Sequence, residues 1–427
     1  MPDVIIVGAG PVGLMLACQL VTEGLTVQVL EQRTEPSGRS RAIGIHPPSL
    51  RALHRIGVAD DLLRRAVRIR SGEVRCDDRA LGSMSFTAAA PEYPFVVALP
   101  QNETERLLRH RFAELCPEGL VLGAAVTGVR DRGDHVEVHV AAGPAGRGGG
   151  AVGSGGADGA DAADGPGADE PRTLSAEYVV AADGARSVVR TTAGIGWRRI
   201  GADASYLMGD FVDPAGAVGP IDAADPADSA DPADSADPVG AHRAAVLYFE
   251  RGGVVESFPL PGGRRRWVAL TDRLSEQATS ADLADLIFWR TGVRLADPLG
   301  PASAFSVQQN LAARMSVGRI ALVGDAAHQI SPIGGQGMNL GWLDGVALAP
   351  ALARAVRQPE QALVTLNEFD RRRRKSARMA VWQAGFNMSM GQPAHGLRLA
   401  ARNALVRSLA RPPLNDVLAR AFTMRWL

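Results

Sequence analysis

The sequence predicts an α/β protein in three parts: a Rossmann-like domain split along the chain, an inserted β-sheet domain, and a helical C-terminal segment. Three observations carry this. A β-branched run, Val4 to Val7, ends in glycines and is followed by helical spacing of Val12, Leu16 and Leu20, then by a second strand from Thr26 to Leu30. Two later apolar strands each deliver an aspartate, Asp183 and Asp325, at the C-terminal end where ligands of an α/β sheet collect. Between them, runs such as Ala245 to Phe249 and Trp267 to Leu270 read as short strands of a mixed or antiparallel sheet.

The elements follow in order. Pro47-Pro48-Ser49 opens a helix whose apolar face, Leu50, Leu53, Ile56 and then Leu62 and Leu63, is interrupted at Gly57. Thr104 to Cys116 makes a third helix with Leu107, Leu108 and Phe112 inward. Val136, Val138 and Val140 alternate as a strand, with Tyr178 to Ala182 as its expected partner. The segment between is rich in Gly, Ala and Asp, and a second such segment carries the repeat Ala224-Asp225-Pro226-Ala227-Asp228-Ser229. Neither buries enough apolar surface to offset chain entropy, so 141–172 and 213–241 are expected as disordered insertions. The expected domains are then 1–72, 101–193 and 306–350 for the Rossmann-like part, 73–100 and 194–305 for the inserted sheet, and 351–427 for the helical end. A long helix is expected from Leu340.

With 427 residues, 46 Lys+Arg and 46 Asp+Glu, no net field draws the chain to nucleic acid or an acidic surface. The run Arg371 to Lys375 lacks interleaved aromatics and reads as a solvated helix face rather than a nucleic-acid site. Cys18, Cys76 and Cys116 have neither zinc-site spacing nor disulfide density, so no metal is expected. The N-terminus lacks a basic region and a cleavage site, and no stretch is long enough to span a bilayer; a soluble, cytoplasmic protein without a membrane span is the expectation.

Gly8-Ala9-Gly10-Pro11-Val12-Gly13 is a G-x-G-x-x-G turn placed after a strand and at the start of a helix. Gly8 permits the tight turn, Gly10 lets backbone approach a pyrophosphate, and Gly13 lets helix and strand pack closely. Glu31 ends the second strand where a carboxylate accepts hydrogen bonds from a ribose diol, which favours FAD or NAD over NADP. Gln32, Arg33 and Val126 join Val12 and these residues in the expected cofactor set.

Two further motifs are Val179-Val180-Ala181-Ala182-Asp183-Gly184 and Val323-Gly324-Asp325-Ala326-Ala327-His328. With the first glycine turn, in this order and at these separations, the sequence resembles the group A flavoprotein aromatic hydroxylases, the family of para-hydroxybenzoate hydroxylase and the polyketide and phenol hydroxylases. The resemblance implies non-covalent FAD, with Asp325 on its ribityl chain and Asp183-Gly184 where FAD and a transient NADH or NADPH pass. A glycine-rich loop, Gly334-Gly335-Gln336-Gly337-Met338-Asn339, precedes a helix start, so Gly335, Gly337, Met338 and Asn339 are expected at the flavin ring, whose negative charge on reduction the helix N-terminus would stabilise. Arg41 resembles the family's arginine near the pyrophosphate, and Gln101 its FAD-contacting glutamine or arginine; a surface arginine and an ordinary helix-start residue are the alternatives. His46, His328 and Pro332 are the catalytic candidates, loop or core histidines being the alternative for the first two.

The resemblance also implies the reaction: reduced nicotinamide passes hydride to FAD, oxygen adds to give a flavin C4a-hydroperoxide, and an electron-rich ring is hydroxylated in a dry cavity. A Baeyer–Villiger or epoxidising oxygenase would keep the same FAD motifs, and a nucleotide-binding regulatory protein without turnover is the alternative of another class. A flavin-dependent halogenase is set aside, since its N-terminal lysine is missing: Lys375 is the chain's one lysine. Phe86, Tyr93, Phe95, Val96 and Val97 are expected to line the substrate cleft or to be core. No arginine stands out as a carboxylate clamp, so a neutral phenol or polyketide-like ring is expected as substrate, together with O2. Many relatives of polyketide-hydroxylase type add a thioredoxin-like C-terminal domain, which nothing after Leu427 supplies here; this argues against a dimer built on such a domain and leaves the oligomeric state open.

Overall fold

Val4–Val7 is buried at all four positions, so it needs a strand on each side and helices on both faces. The computed structural model, which describes residues 1–35, 42–87, 91–142, 171–201, 203–213, 244–331 and 335–424, provides both. Its central sheet has the order β20 (Ser316–Val317), β21 (Ile320–Leu322), β12 (Tyr178–Ala181), β1 (Val4–Val7), β2 (Val27–Glu31) and β8 (Leu120–Leu122). All neighbours are parallel except β20 and β21. Helix α1 (Pro11–Thr22) packs on the helices Gln101–Leu115 and Gln336–Arg357 around the largest apolar core of the protein.

The expected pairing of Val136–Val140 with Tyr178–Ala182 is corrected. β10 (Val136–Val140) lies between β9 (Val126–Asp131) and β11 (Arg172–Ala176) in an antiparallel sheet. β12 pairs with β1 instead, in register Val4 to Tyr178. Burial gives the reason. β10 alternates buried and half-buried residues, as a one-sided sheet requires, whereas β12 is buried throughout and fits only a central parallel strand. Most of 141–172 and 213–241 lies outside the described residues, as do Arg41 and Pro332. The edges of the two segments are ordered structure: Arg172 opens β11, and Arg265 donates to Asp213 at 2.7 Å.

The inserted domain is a seven-stranded sheet of order β18 (Ser303–Val307), β14 (Ala204–Val212), β17 (Arg264–Thr271), β16 (Gly253–Leu260), β15 (Ala245–Glu250), β5 (Ser71–Cys76) and β6 (Arg79–Ser85). Its outer face, with Leu207, Phe211, Val255, Trp267 and Ala269, is covered by Leu283 and Ile287 of the helix Ser280–Thr291. That helix starts in a capping box of Thr279 and Asp282 and stops at Gly292 in the left-handed conformation. The inner face turns toward the central sheet. Two small sheets join the domains: β3 (Gly44–Ile45), β7 (Val96–Ala98) and β4 (Val67–Ile69), and β13 (Trp197–Arg199), β19 (Asn310–Ala312) and β22 (His328–Gln329).

The long helix begins at Gln336, a turn before the expected Leu340, and runs through Pro350 to Arg357. The chain ends in the helices Ala362–Gly391, Gly396–Leu409 and Leu414–Phe422. The run Arg371 to Lys375 is not wholly a solvated face, since five consecutive helical residues exceed one turn and one must face inward. It is Arg373, which is buried and donates to Asp344 at 2.8 Å. Among the described residues no helix is long and apolar enough to cross a membrane.

Candidate active site

One cavity of about 1080 Å³ runs from the first glycine turn to the inner face of the inserted sheet. At its first end, Gly8 has φ +108°, and a Cβ there would lie 2.5 Å from the Ala182 carbonyl oxygen. A Cβ on Gly13 would lie 2.0 Å from the Gly8 oxygen, so Gly13 serves the packing of α1 against the turn and does not itself line the cavity. Gly10 does line it, and a Cβ there would meet no protein atom within 4 Å. The turn is held from behind by Trp342, fully buried, whose Nε1 donates to the Pro11 carbonyl at 2.9 Å.

Glu31 leaves β2 with its carboxylate already organised. Oε2 accepts from the Ala9 N–H at 2.9 Å, and Oε1 from the backbone and Nε of Arg33 at 3.0 and 2.9 Å. Burial alone would raise its pKa; the hydrogen bonds from Arg33 and Ala9 outweigh this and hold the carboxyl below the ordinary range. Gln32, Arg33, Val12 and Val126 also line this end. So does Gln101, the first residue of its helix, which accepts from the Ala42 N–H and donates to Glu105. Burial pushes the Glu105 carboxyl up, against the pull of Gln101.

At the middle of the cavity two loops meet. Asp183 lines it with Gly184, and its Oδ2 accepts from the N–H groups of Val188 and Val189, capping the short helix α5 (Val188–Thr192). Burial raises its pKa, partly offset by those bonds. Arg190 braces the same loop, donating to Ala326 and Ala185 carbonyls and lying over the Trp197 ring. Asp325 also lines the cavity. The residue is exposed, on a turn fixed one residue earlier. The Gly324 N–H donates to Asp344 Oδ2 at 3.0 Å, and Asp344 is itself bound by His328 at 2.5 Å and by Arg373. Burial opposes the charge on Asp344, but His328 and Arg373 hold its carboxyl below the ordinary range.

His328 is therefore a buried brace and not a cavity residue; its strand turns it inward, away from the space that Gln329 and Ile330 line. Gly335, Gly337 and Met338 line the cavity at the start of the long helix. Asn339 does not. It is fully buried and ties the loop to the opposite wall, donating to the carbonyls of Gly44 and Gly335 and accepting from the His46 N–H. His46 does line the cavity.

The far end is built by the inner face of the seven-stranded sheet, with Tyr206, Met208, Glu256, Phe258, Arg266, Val268 and Phe305. Arg266 is held by Asp210 through two bonds of 2.7 and 2.9 Å. Of the aromatic and apolar residues expected from 73–100, Phe86 and Val96 line the cavity, while Phe95 and Val97 pack into the central core and Tyr93 rests against it. Alternation along the strand decides it, since Val96 and Val97 point to opposite faces. Phe422, from the last helix, closes this end by stacking on Phe86 at 5.4 Å and meeting His46 edge-on at 5.5 Å. Neither Glu256 nor Phe422 was singled out from the sequence. Glu256 sits in an alternating strand whose pattern does not tell which face is covered, and Phe422 lies far from every motif.

The sequence model of a family described as FAD binding domain matches residues 1–384. The chain is 31% identical over 367 residues to a 6-methylpretetramide 4-monooxygenase of Streptomyces rimosus, covering 83% of this chain and 56% of that protein. It is 29% identical over 375 residues to a para-nitrophenol 4-monooxygenase of Pseudomonas sp. strain WBC-3, covering 87% and 82%. Among solved structures, p-nitrophenol 4-monooxygenase from Pseudomonas putida DLL-E4 shares the fold with a TM-score of 0.77 at 24% identity, covering 100% of this chain and 97% of that one. Anhydrotetracycline hydroxylase from Streptomyces rimosus has a TM-score of 0.72 at 25% identity, covering 100% and 76%. The chain spans about three fifths of the length of the first curated relatives it matches.

Proposed function

The chain belongs to the FAD-binding-domain family matched over residues 1–384, and from that premise we propose that it is a FAD-dependent monooxygenase that hydroxylates an uncharged aromatic ring, phenolic or polyketide-like, using NADH or NADPH and O2. The observation that carries the reading is the continuity of the cavity, with a dinucleotide turn at one end and an aromatic-lined sheet face at the other.

The residues present fit FAD. Gly10 is open to the cavity on the side where a Cβ would stand, as a turn that receives a pyrophosphate requires, and the start of α1 offers its N–H groups beside it. Glu31 and Arg33 are the groups for the adenosine end, Gln101 and Asp325 for the polar linker and ribityl hydroxyls, and the helix start at Gln336 for the flavin ring. Bound FAD would supply the redox chemistry, taking hydride from the nicotinamide and activating oxygen for transfer of one atom to the ring. The protein's part is to orient and to exclude water. The sheet face and Phe422 hold the ring, their apolar side chains keep the reacting end dry, and the fixed dipoles of the long helix favour negative charge on the reduced cofactor.

The test is turnover under labelled oxygen. The purified protein should carry releasable FAD, and neutral phenols should stimulate its oxidation of NADH or NADPH with one labelled oxygen in the product. Stimulation confined to benzoates removes the substrate class, and a labelled ester or lactone changes the reaction class.

A further inference from the structure

Among the described residues, the inner face of the inserted sheet brings charged or phenolic side chains to the cavity at three places. One is the Asp210–Arg266 pair, joined by two hydrogen bonds. Another is Tyr206, stacked on Phe305 at 5.5 Å. The third is Glu256. The register places Met208, Val268 and Glu256 in one row across β14, β17 and β16, so that the carboxyl stands in the middle of the floor with Phe258 two residues along the strand. Glu256 lines the cavity and is buried, and its Oε1 has no hydrogen-bond partner among the described residues.

A carboxyl in such a place costs stability that a Leu or Val would not, and among the described residues no hydrogen bond to its Oε1 offsets this. Resting on the reading of this end as the ring site, we propose that Glu256 is the specificity-determining residue of the cavity: its carboxyl hydrogen-bonds an oxygen of an uncharged ring lying on the sheet floor, and rings bearing a carboxylate are refused. Refusal follows from desolvation: a benzoate would carry its charge onto a largely apolar floor, where the cation lining it, Arg266, is already engaged by Asp210.

The protonation state makes Glu256 a donor. Burial raises its pKa to about 8, so near neutrality it carries a proton that an oxygen of the ring can accept. Among the described residues, the titratable and charged groups on this face of the neighbouring strands are Tyr206 and Asp210 of β14 and Arg266 and Arg264 of β17, the last at the strand's end with its Nε donating to the Pro261 carbonyl. On β15, Leu247 stands opposite Glu256; on β4, Arg68 lies over the Phe95 ring; β7 brings Val96. The Tyr206 phenol is itself held well above its usual range by burial and then by Glu256, so it stays protonated while Glu256 titrates.

The test uses three rings on the purified protein with its flavin: 1-tetralone, which only accepts hydrogen bonds, 1-naphthol, and 1-naphthoate. Binding is followed by calorimetry between pH 6 and 9, which needs no turnover, with retained FAD measured in parallel. Wild type should bind tetralone and naphthol at least about tenfold more tightly than naphthoate, and lose tetralone affinity above about pH 8. Glu256→Gln keeps a donor, so it should hold tetralone within about threefold of wild type and with no pH dependence; Glu256→Leu should lose about tenfold. Equal binding of naphthoate, a Leu variant that binds tetralone as wild type does, a flat wild-type pH profile, or no binding of any of the three rings overturns the assignment. Failure of wild type to take up FAD overturns the monooxygenase reading instead, and the calorimetry on the protein as purified still decides the role of Glu256.

Discussion

Replacing Glu256 by Gln should change how stability depends on pH, in a direction opposite to that of most carboxylates. In the native protein the carboxyl keeps its proton up to about pH 8, whereas the unfolded chain releases it near 4.5. Between those values the native state binds the extra proton, so stability is full at acid pH and falls as pH rises, by about 1.4 kcal/mol per unit. From pH 5 to pH 8 the loss is about 4 kcal/mol. With about 2.1 cal/mol/K of unfolding entropy per residue, the 427-residue chain has about 0.9 kcal/mol/K, so the loss is about 4 °C in Tm. Gln removes the titration and adds a pH-independent cost of about 1–3 kcal/mol for its unpaired amide. The other carboxylates titrate alike in both proteins and cancel in the difference. Melting both proteins from pH 5 to 9 should therefore give a Tm difference that moves by about 4 °C in favour of the Gln variant as pH rises. Two curves parallel to within about 1 °C would refute the placement of a protonated acid in the floor.

Asp344→Asn should cost about 3–5 kcal/mol by leaving Arg373 buried opposite a neutral group, seen as a lower Tm, and the double replacement Asp344→Leu with Arg373→Met should recover part of it. Because the Asp344 carboxyl is held below the ordinary range, its contribution is present above the unfolded value and lost as pH falls through the lowered one; the Asn variant should show a shallower acid limb in its melting profile. Gly8→Ala meets both a positive φ and the Ala182 carbonyl, so FAD retention should be abolished, and a variant that purifies with full flavin would contradict the turn's role. Asp325→Ala should weaken FAD binding at least about tenfold, read by flavin fluorescence on dilution. Phe422→Ala should weaken 1-naphthol about fivefold through loss of its stack on Phe86 while leaving FAD bound; unchanged naphthol affinity would remove the last helix from the ring site.

The glycine-turn end of the cavity was legible in the sequence because its signals are local. A strand, a glycine turn and a helix adjoin one another between Val4 and Thr22, Glu31 follows at the end of the next strand, and Asp183 and Asp325 each close an apolar run. Backbone conformation and close approach restrict those positions to particular residue types whatever packs around them. The partner of Val136–Val140, the inward turn of Arg373, and the brace role of His328 and Asn339 were settled only by what lies across the fold.

The same holds for the ring end. Alternation along Gly253–Leu260 shows that Glu256 and Phe258 share a face, but an acid on an alternating strand ordinarily faces water. Tertiary structure reverses this by covering both faces of the sheet, one with the helix Ser280–Thr291 and the other with the central domain and Phe422. The sequence by itself determined the cofactor class and the turns that mark it, because turn geometry is written in neighbouring residues; the order of the strands around them was decided by tertiary structure. Which acid is buried, which arginine is neutralised and which aromatic closes the cavity were decided by tertiary structure alone, because desolvation and pairing depend on groups brought together from as far apart as Phe86 and Phe422.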